Sequence, residues 1–199
     1  MLAIIYQPVT MNIPSNQECF ELIKKMAMMD HIIDHSVMVS NVALYLAVKL
    51  KKHCPDLDCR LAASAALLHD ITKTRSIDTK ELHSKTGGEL LTELGYPEVG
   101  NIIRQHVILD SYENDSPVSE QEIVNYSDKR VLHAEIVSLD KRLEYIKIRY
   151  GTNTEFKKRI KLMWLNTLNL ENKIFCRLDI TPDQLSKNIT IKIKKEEWL

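Results

Sequence analysis

Several things are scarce or missing in this chain of 199 residues. Glycine occurs five times and the aromatic share is only 6%. With so few glycines, long stretches of helical periodicity and little strand alternation, the chain reads as mostly helical. The four cysteines (Cys19, Cys54, Cys59 and Cys176) form no CxxC pair, so neither a zinc knuckle nor a disulfide framework is expected. Reduced thiols in a cytoplasmic protein are the expectation instead. Net charge is zero, which leaves no global field to draw the chain to nucleic acid or to a membrane surface. No charged start followed by an apolar signal core is present, and no run approaches the roughly 18 apolar residues of a membrane span. Internal repeats and low-complexity linkers are absent as well. The acidic stretch 110–122 and the basic stretches "KKRIK" (157–161) and "KIKK" (192–195) are expected to be solvated faces.

Helix signals are plentiful. Ser15-Asn-Gln-Glu18, Ser119-Glu-Gln-Glu122 and Thr152-Asn-Thr-Glu155 read as capping boxes, and Thr181-Pro-Asp-Gln184 places proline at a first helical position. The longest helix is expected from about residue 30 to 53, with Val39, Val42, Ala43, Leu46 and Leu50 forming its apolar stripe. Further helices are expected at 58–69, 83–94, 97–108, 119–131, 134–149, 154–169 and 182–187. Met26, Met28 and Met29 are read as core packing. The two ends alternate in a strand-like way. They pair with each other or with a second copy in a homodimer, or they are loose tails. The expected organisation is an N-terminal extension over 1–11, a helical domain over 12–150, and a helical extension over 151–199 packed on the same domain.

"ALLHDITK" (66–73) raises the chemical question. An apolar helix ends in His69 and Asp70, and burying that pair is costly unless something binds it. His35 lies within the stripe of the longest helix, His83 opens "HSKTGGELL", His106 ends "VGNIIRQH" and Asp128 lies in "IVNYSDKRV". Imidazole and carboxylate together suit divalent Fe, Mn, Co, Ni or Zn. Six such side chains are too many for one ion with open positions. They suit two ions that share a carboxylate, an arrangement fitted to phosphoryl displacement.

The order His, His-Asp, His, His, Asp resembles the HD-domain metal-dependent phosphohydrolase superfamily, over roughly 20–150. The stretches that carry the resemblance are "IIDHSVMVSNVALYLA", "AALLHDITK", "HSKTGGELLTELGYPEVGNIIRQHV" and "NYSDKRV". It is closest to the HDIG-type subgroup of small bacterial and archaeal proteins, with Thr72 where that motif has glycine. The resemblance implies an all-α HD-domain bundle. It also implies that His35, His69, Asp70 and Asp128 hold one metal, that His83 and His106 complete a second site, and that Asp70 bridges. Lys73 follows the His-Asp pair as a phosphate contact. Lys129 and Arg130 are further phosphate candidates, followed by Arg75 and Arg104. His31 is expected to be a surface or supporting residue near the pocket mouth, and His53 and His133 surface residues.

The expected function is hydrolysis of a phosphomonoester or phosphodiester, nucleotide or dinucleotide in type, by a hydroxide bridging two divalent metals. No serine or cysteine nucleophile sits in a recognisable elbow or triad. A mixed-valent di-iron oxygenase on the same scaffold and a non-catalytic sensing module are the alternatives. The 109–119 loop and the C-terminal third are the expected contributors to specificity.

Overall fold

The segment "CRLAASAALL" explains the architecture. After Arg60 it carries no charge, and a helix apolar on every side belongs in the middle of a bundle. In the computed structural model, which describes residues 11–151 and 153–198, it forms helix α3 (Cys59–Leu68), and every residue from Leu61 to Leu68 is buried. Around α3 lie α1 (Asn16–Lys25), α2 (Asp30–Leu50), α6 (Pro97–Arg104) and α7 (Glu120–Lys129). Helices α4 (Lys73–Thr79) and α5 (His83–Glu93) lead into α6. Beyond α7 come the two-residue strands β1 (Val131–Leu132) and β2 (Glu135–Ile136), then α8 (Leu139–Tyr150), α9 (Thr154–Phe175) and the short α10 (Leu185–Asn188). Among the described residues the fold is all-α apart from that antiparallel hairpin, which pairs Val131 with Ile136 and Leu132 with Glu135.

Local chemistry sets the helix starts. Ser15 and Ser119 both close reciprocal capping boxes, with Glu18 and Glu122. Asp58 caps α3 through the backbone N–H groups of Arg60 and Leu61. Helix α9 is capped by Asn153 rather than by Thr152, which lies outside the described residues. It also runs to Phe175, several residues past the expected end.

Helix α2 is, by length and composition, long and apolar enough to cross a membrane, and 67% of its apolar window is buried inside the bundle. Val39, Val42, Ala43, Leu46 and Leu50 are all fully buried. Met28 is core and Met26 packs on it, but Met29 is exposed.

Helices α5 and α6 cross through glycine. A Cβ on Gly88 would stand 2.7 Å from the Gly100 carbonyl oxygen, and one on Gly100 would stand 2.5 Å from that of Gly88. Only bare backbone permits so close an approach.

Several expectations need correction. Lys73–Thr79 is helical although no side chain caps it, and the hairpin at 131–136 replaces the expected end of one helix and start of the next. "ITIKIKK" is not a strand. It is extended chain fastened by Asn41, whose Oδ1 accepts from Lys192 N at 2.7 Å and Ile193 N at 3.0 Å. The expected N-terminal strand lies outside the described residues. The acidic stretch 110–122 is not wholly solvated either. Glu122 is buried and its Oε1 accepts from Lys173 Nζ at 2.7 Å. All four cysteines are free.

Candidate metal centre

Four helix ends and the second turn of α2 converge at the end of α3. His69 is the C-cap of α3 and Asp70 follows it; His83 opens α5, His106 lies just past α6, and Asp128 is in the last turn of α7. His35 faces them from α2, buried among the apolar stripe residues. The sequence-predicted set of His35, His69, Asp70, His83, His106 and Asp128 is thus brought together from positions nearly a hundred residues apart.

The geometry gives three of the four imidazoles a defined orientation. Nδ1 of His69 meets the Ala66 carbonyl at 2.7 Å, Nδ1 of His106 the Ile103 carbonyl at 2.7 Å, and Nδ1 of His35 the His133 carbonyl at 2.9 Å. Each backbone oxygen holds a proton on Nδ1, so Nε2 faces the cluster and is the atom that offers a lone pair to an ion. Around Asp70, Oδ2 is 3.4 Å from His69 Nε2, and Oδ1 lies 3.2 Å from His83 Nε2 and 3.7 Å from His106 Nε2. Asp128 Oδ1 stands 3.1 Å from His35 Nε2 and 3.8 Å from His69 Nε2.

Two three-residue groups, His35–His69–Asp70 and Asp70–His83–His106, have donor atoms within 4.8 Å of one another, and Asp70 belongs to both. His69 Nε2 and Asp70 Oδ1 are buried with no hydrogen-bond partner among the described residues. Leaving such atoms unpaired is costly, and a divalent ion removes that cost for both at once. The donor set therefore fits a metal centre.

Charge in the cluster is concentrated on the carboxylates. Burial opposes ionisation of Asp70, but His69 and Lys73 outweigh it and hold the carboxyl well below the usual range. Asp128 is likewise held low against burial by Lys129, His35 and Arg142. Burial, with His69 beside it, pushes His106 well below the ordinary imidazole value, so it is a neutral donor.

The model of the HD-domain family matches residues 32–143, which span more than half of the chain. The chain belongs to the HD-domain family. Over 147 residues this HD-domain protein is 27% identical to an uncharacterised protein of Methanocaldococcus jannaschii, covering 67% of this chain and 86% of that one. It is 31% identical over 138 residues to a tRNA (cytidine(56)-2′-O)-methyltransferase of Picrophilus torridus, covering 65% of this chain and 38% of that enzyme. The corresponding enzyme of Thermoplasma volcanium is 30% identical over 96 residues, or 48% of this chain and 26% of the enzyme. The chain thus spans well under half of either methyltransferase. No solved structure matches it.

A pocket of about 360 Å³ opens onto the HD-domain cluster, lined by His35, Asp70, Lys73 and His83 on one side and by His133, Arg142, Tyr145 and Arg149 on the other. Lys73 bonds Asp70 Oδ2 at 2.7 Å while remaining about one third exposed (33%). The other expected phosphate contacts do not line this pocket. Lys129 is buried and donates to the His106 carbonyl and, at 3.5 Å, to that of Val107. Arg130 is locked by the Val137 carbonyl at 2.8 Å, Glu171 at 3.1 Å and the Pro182 carbonyl at 3.0 Å. Arg75 pairs with Glu81 and Arg104 with Asp110, both at the surface.

Residues missed in the sequence lie on α8. Arg142 donates to Asp128 Oδ1 at 3.3 Å, and Tyr145, Arg149 and Tyr150 continue the pocket wall. Their spacing of three, seven and eight residues from Arg142 marks one helical face, and that was the available signal. His133, expected to be a surface residue, is exposed, and its left-handed backbone (φ 55°) aims its carbonyl at His35 while its side chain lines the pocket. His31 reaches the pocket mouth, and Thr72 donates to the His83 carbonyl at 2.8 Å, tying the turn after His-Asp to α5.

Proposed function

We propose that this HD-domain protein is a metal-dependent phosphohydrolase acting on a small phosphomonoester or phosphodiester of nucleotide type. One divalent ion would be held by His35, His69, Asp70 and Asp128, and a second by Asp70, His83 and His106. The observation that carries the reading is the shared, ionised Asp70, whose Oδ1 is buried and unpartnered between the two histidine groups. When bound, two such ions supply an activated water and offset charge on the reacting phosphate.

The chain's own residues do the rest. The backbone carbonyls of Ala66, Ile103 and His133 fix the imidazole tautomers. Burial works against the charge on Lys73, but Asp70 and Asp128 raise its pKa above the ordinary lysine value. It therefore stays a cation at the pocket wall and binds phosphate as a point charge. Arg142 offers a second, planar contact beside Asp128. The free thiols support a reducing, cytoplasmic setting. The methyltransferase relatives are matched over too little of their length to lend this chain their activity.

The test is to reconstitute the chain with Mn, Fe, Co, Ni or Zn and screen nucleotides, dinucleotides and generic phosphoesters. Metal-dependent phosphate release that Asp70→Ala abolishes supports the reading. No release from any phosphoester, together with dioxygen consumption on a phosphonate or polyol, would replace it with an oxygenase.

A further inference from the structure

The cations around the pocket are not equivalent. Lys73 is bonded to Asp70 and Arg142 to Asp128, so each is already matched to a carboxylate of the cluster. Arg149 is different. It lies on the same wall, about two turns of α8 beyond Arg142, and has no carboxylate partner among the described residues. Its guanidinium donates to the Tyr145 hydroxyl at 3.1 Å and stands 6.0 Å from the Tyr145 ring centre and 5.8 Å from that of Tyr150. Aromatic faces and a phenolic oxygen hold the group in place without neutralising it. Arg142 stands 5.8 Å from the same Tyr145 ring. One tyrosine therefore sits between two guanidiniums of the pocket wall, one paired with Asp128 of the cluster and the other with no carboxylate among the described residues.

We infer that Arg149 is a specificity-determining residue that binds a second phosphate of the substrate, remote from the phosphate at the His/Asp cluster. The substrate class is then an organic compound with at least two phosphate groups, such as a nucleoside diphosphate, rather than a monophosphate. A planar, permanently charged fork suits a phosphate oxygen pair. This rests on the phosphohydrolase reading for the role of the first phosphate.

The experiment is a calorimetric titration of the metal-loaded chain with AMP and with ADP, repeated on Arg149→Met, Tyr145→Phe and the remote surface variant Lys85→Met. Metal chelation by ADP affects all these proteins alike and cancels when their ADP-to-AMP affinity ratios are compared. We expect ADP to bind at least tenfold more tightly than AMP to the unmodified chain. Arg149→Met should reduce that ratio to threefold or less, Tyr145→Phe should lower it partway by freeing Arg149, and Lys85→Met should leave it unchanged. Equal affinities in the unmodified chain, or a ratio that survives Arg149→Met, would overturn the inference. Because binding is read directly, it is judged even if no phosphoester is hydrolysed, an outcome that would sink only the proposed activity. Arg149 is exposed, so its replacement leaves the core intact.

Discussion

Gly100→Ala tests how packing builds the centre. The added methyl carbon would lie 2.5 Å from the Gly88 carbonyl oxygen and 2.6 Å from Thr92 Oγ1. A carbon and a carbonyl oxygen settle at about 3.3 Å or more, so α6 must move outward by roughly 0.8 Å. Overpacking of this kind costs about 1–3 kcal/mol. Alanine regains up to about 1 kcal/mol of helix propensity. With the full gain the net loss is up to about 2 kcal/mol, a fall in Tm of up to roughly 8 °C for a chain of this size. The same movement shifts His106, which follows α6 and has its Nε2 3.2 Å from that of His83. A metal-binding constellation must be held within about 0.5 Å of its working geometry. The affinity of the second site should therefore fall at least tenfold while the first is spared. Thermal unfolding in chelator reads the first effect, and equilibrium dialysis with Mn or Zn reads the second. A Tm at or above that of the unmodified chain, with unchanged binding of both ions, would refute the packing argument.

Lys173→Met should destabilise the fold by about 3 kcal/mol, because it leaves Glu122 buried without its partner. It also frees the Glu113 carbonyl and Ser116 hydroxyl that Lys173 holds at 2.8 and 2.9 Å, and urea denaturation of the single and Glu122→Met double variants measures the coupling. Under native conditions a thiol reagent should label exposed Cys176 and half-buried Cys59, sparing Cys19 and Cys54 until the chain is unfolded, as mass spectrometry will show. Burial pushes the Cys19 thiol up to about 12. The unfolded thiol ionises near 8.5. Its contribution to stability is thus complete below about pH 8.5 and is lost as pH rises toward the folded value, a slope that Cys19→Ala should flatten in denaturation curves.

Much of the helical frame was legible because it rests on local chemistry. Ser15 with Glu18 and Ser119 with Glu122 announce α1 and α7, and the apolar steps from Val39 to Leu50 announce α2. Elements without such signals were not legible. Helix α4 follows Thr72, whose hydroxyl is spent on His83 and Thr86 instead of a cap, and two-residue strands are too short to show a period. "ITIKIKK" alternates because Ile193 is buried beside Asn41 while its neighbours are solvated, and that pattern imitates a strand.

At the centre, the order of histidines and aspartates was enough to select the cluster, since each lies at a helix end or on a buried face. The cations were harder. Lys129 and Arg130 are adjacent to Asp128 in sequence, but a helix turns neighbours by about 100° each, so adjacency does not imply a shared pocket. Arg142 reaches Asp128 from another helix, fourteen residues on. Only the α8 face it shares with Tyr145 and Arg149 foreshadowed it.

In the proposed centre Asp70 joins two metal sites. Elemental analysis of anaerobically purified chain, beside Asp70→Ala purified in the same way, tests it most directly. Close to two divalent ions per unmodified chain and fewer than one in the variant are expected, with the helical circular-dichroism signal largely retained. No bound metal in the unmodified chain, or full occupancy in Asp70→Ala, would contradict it.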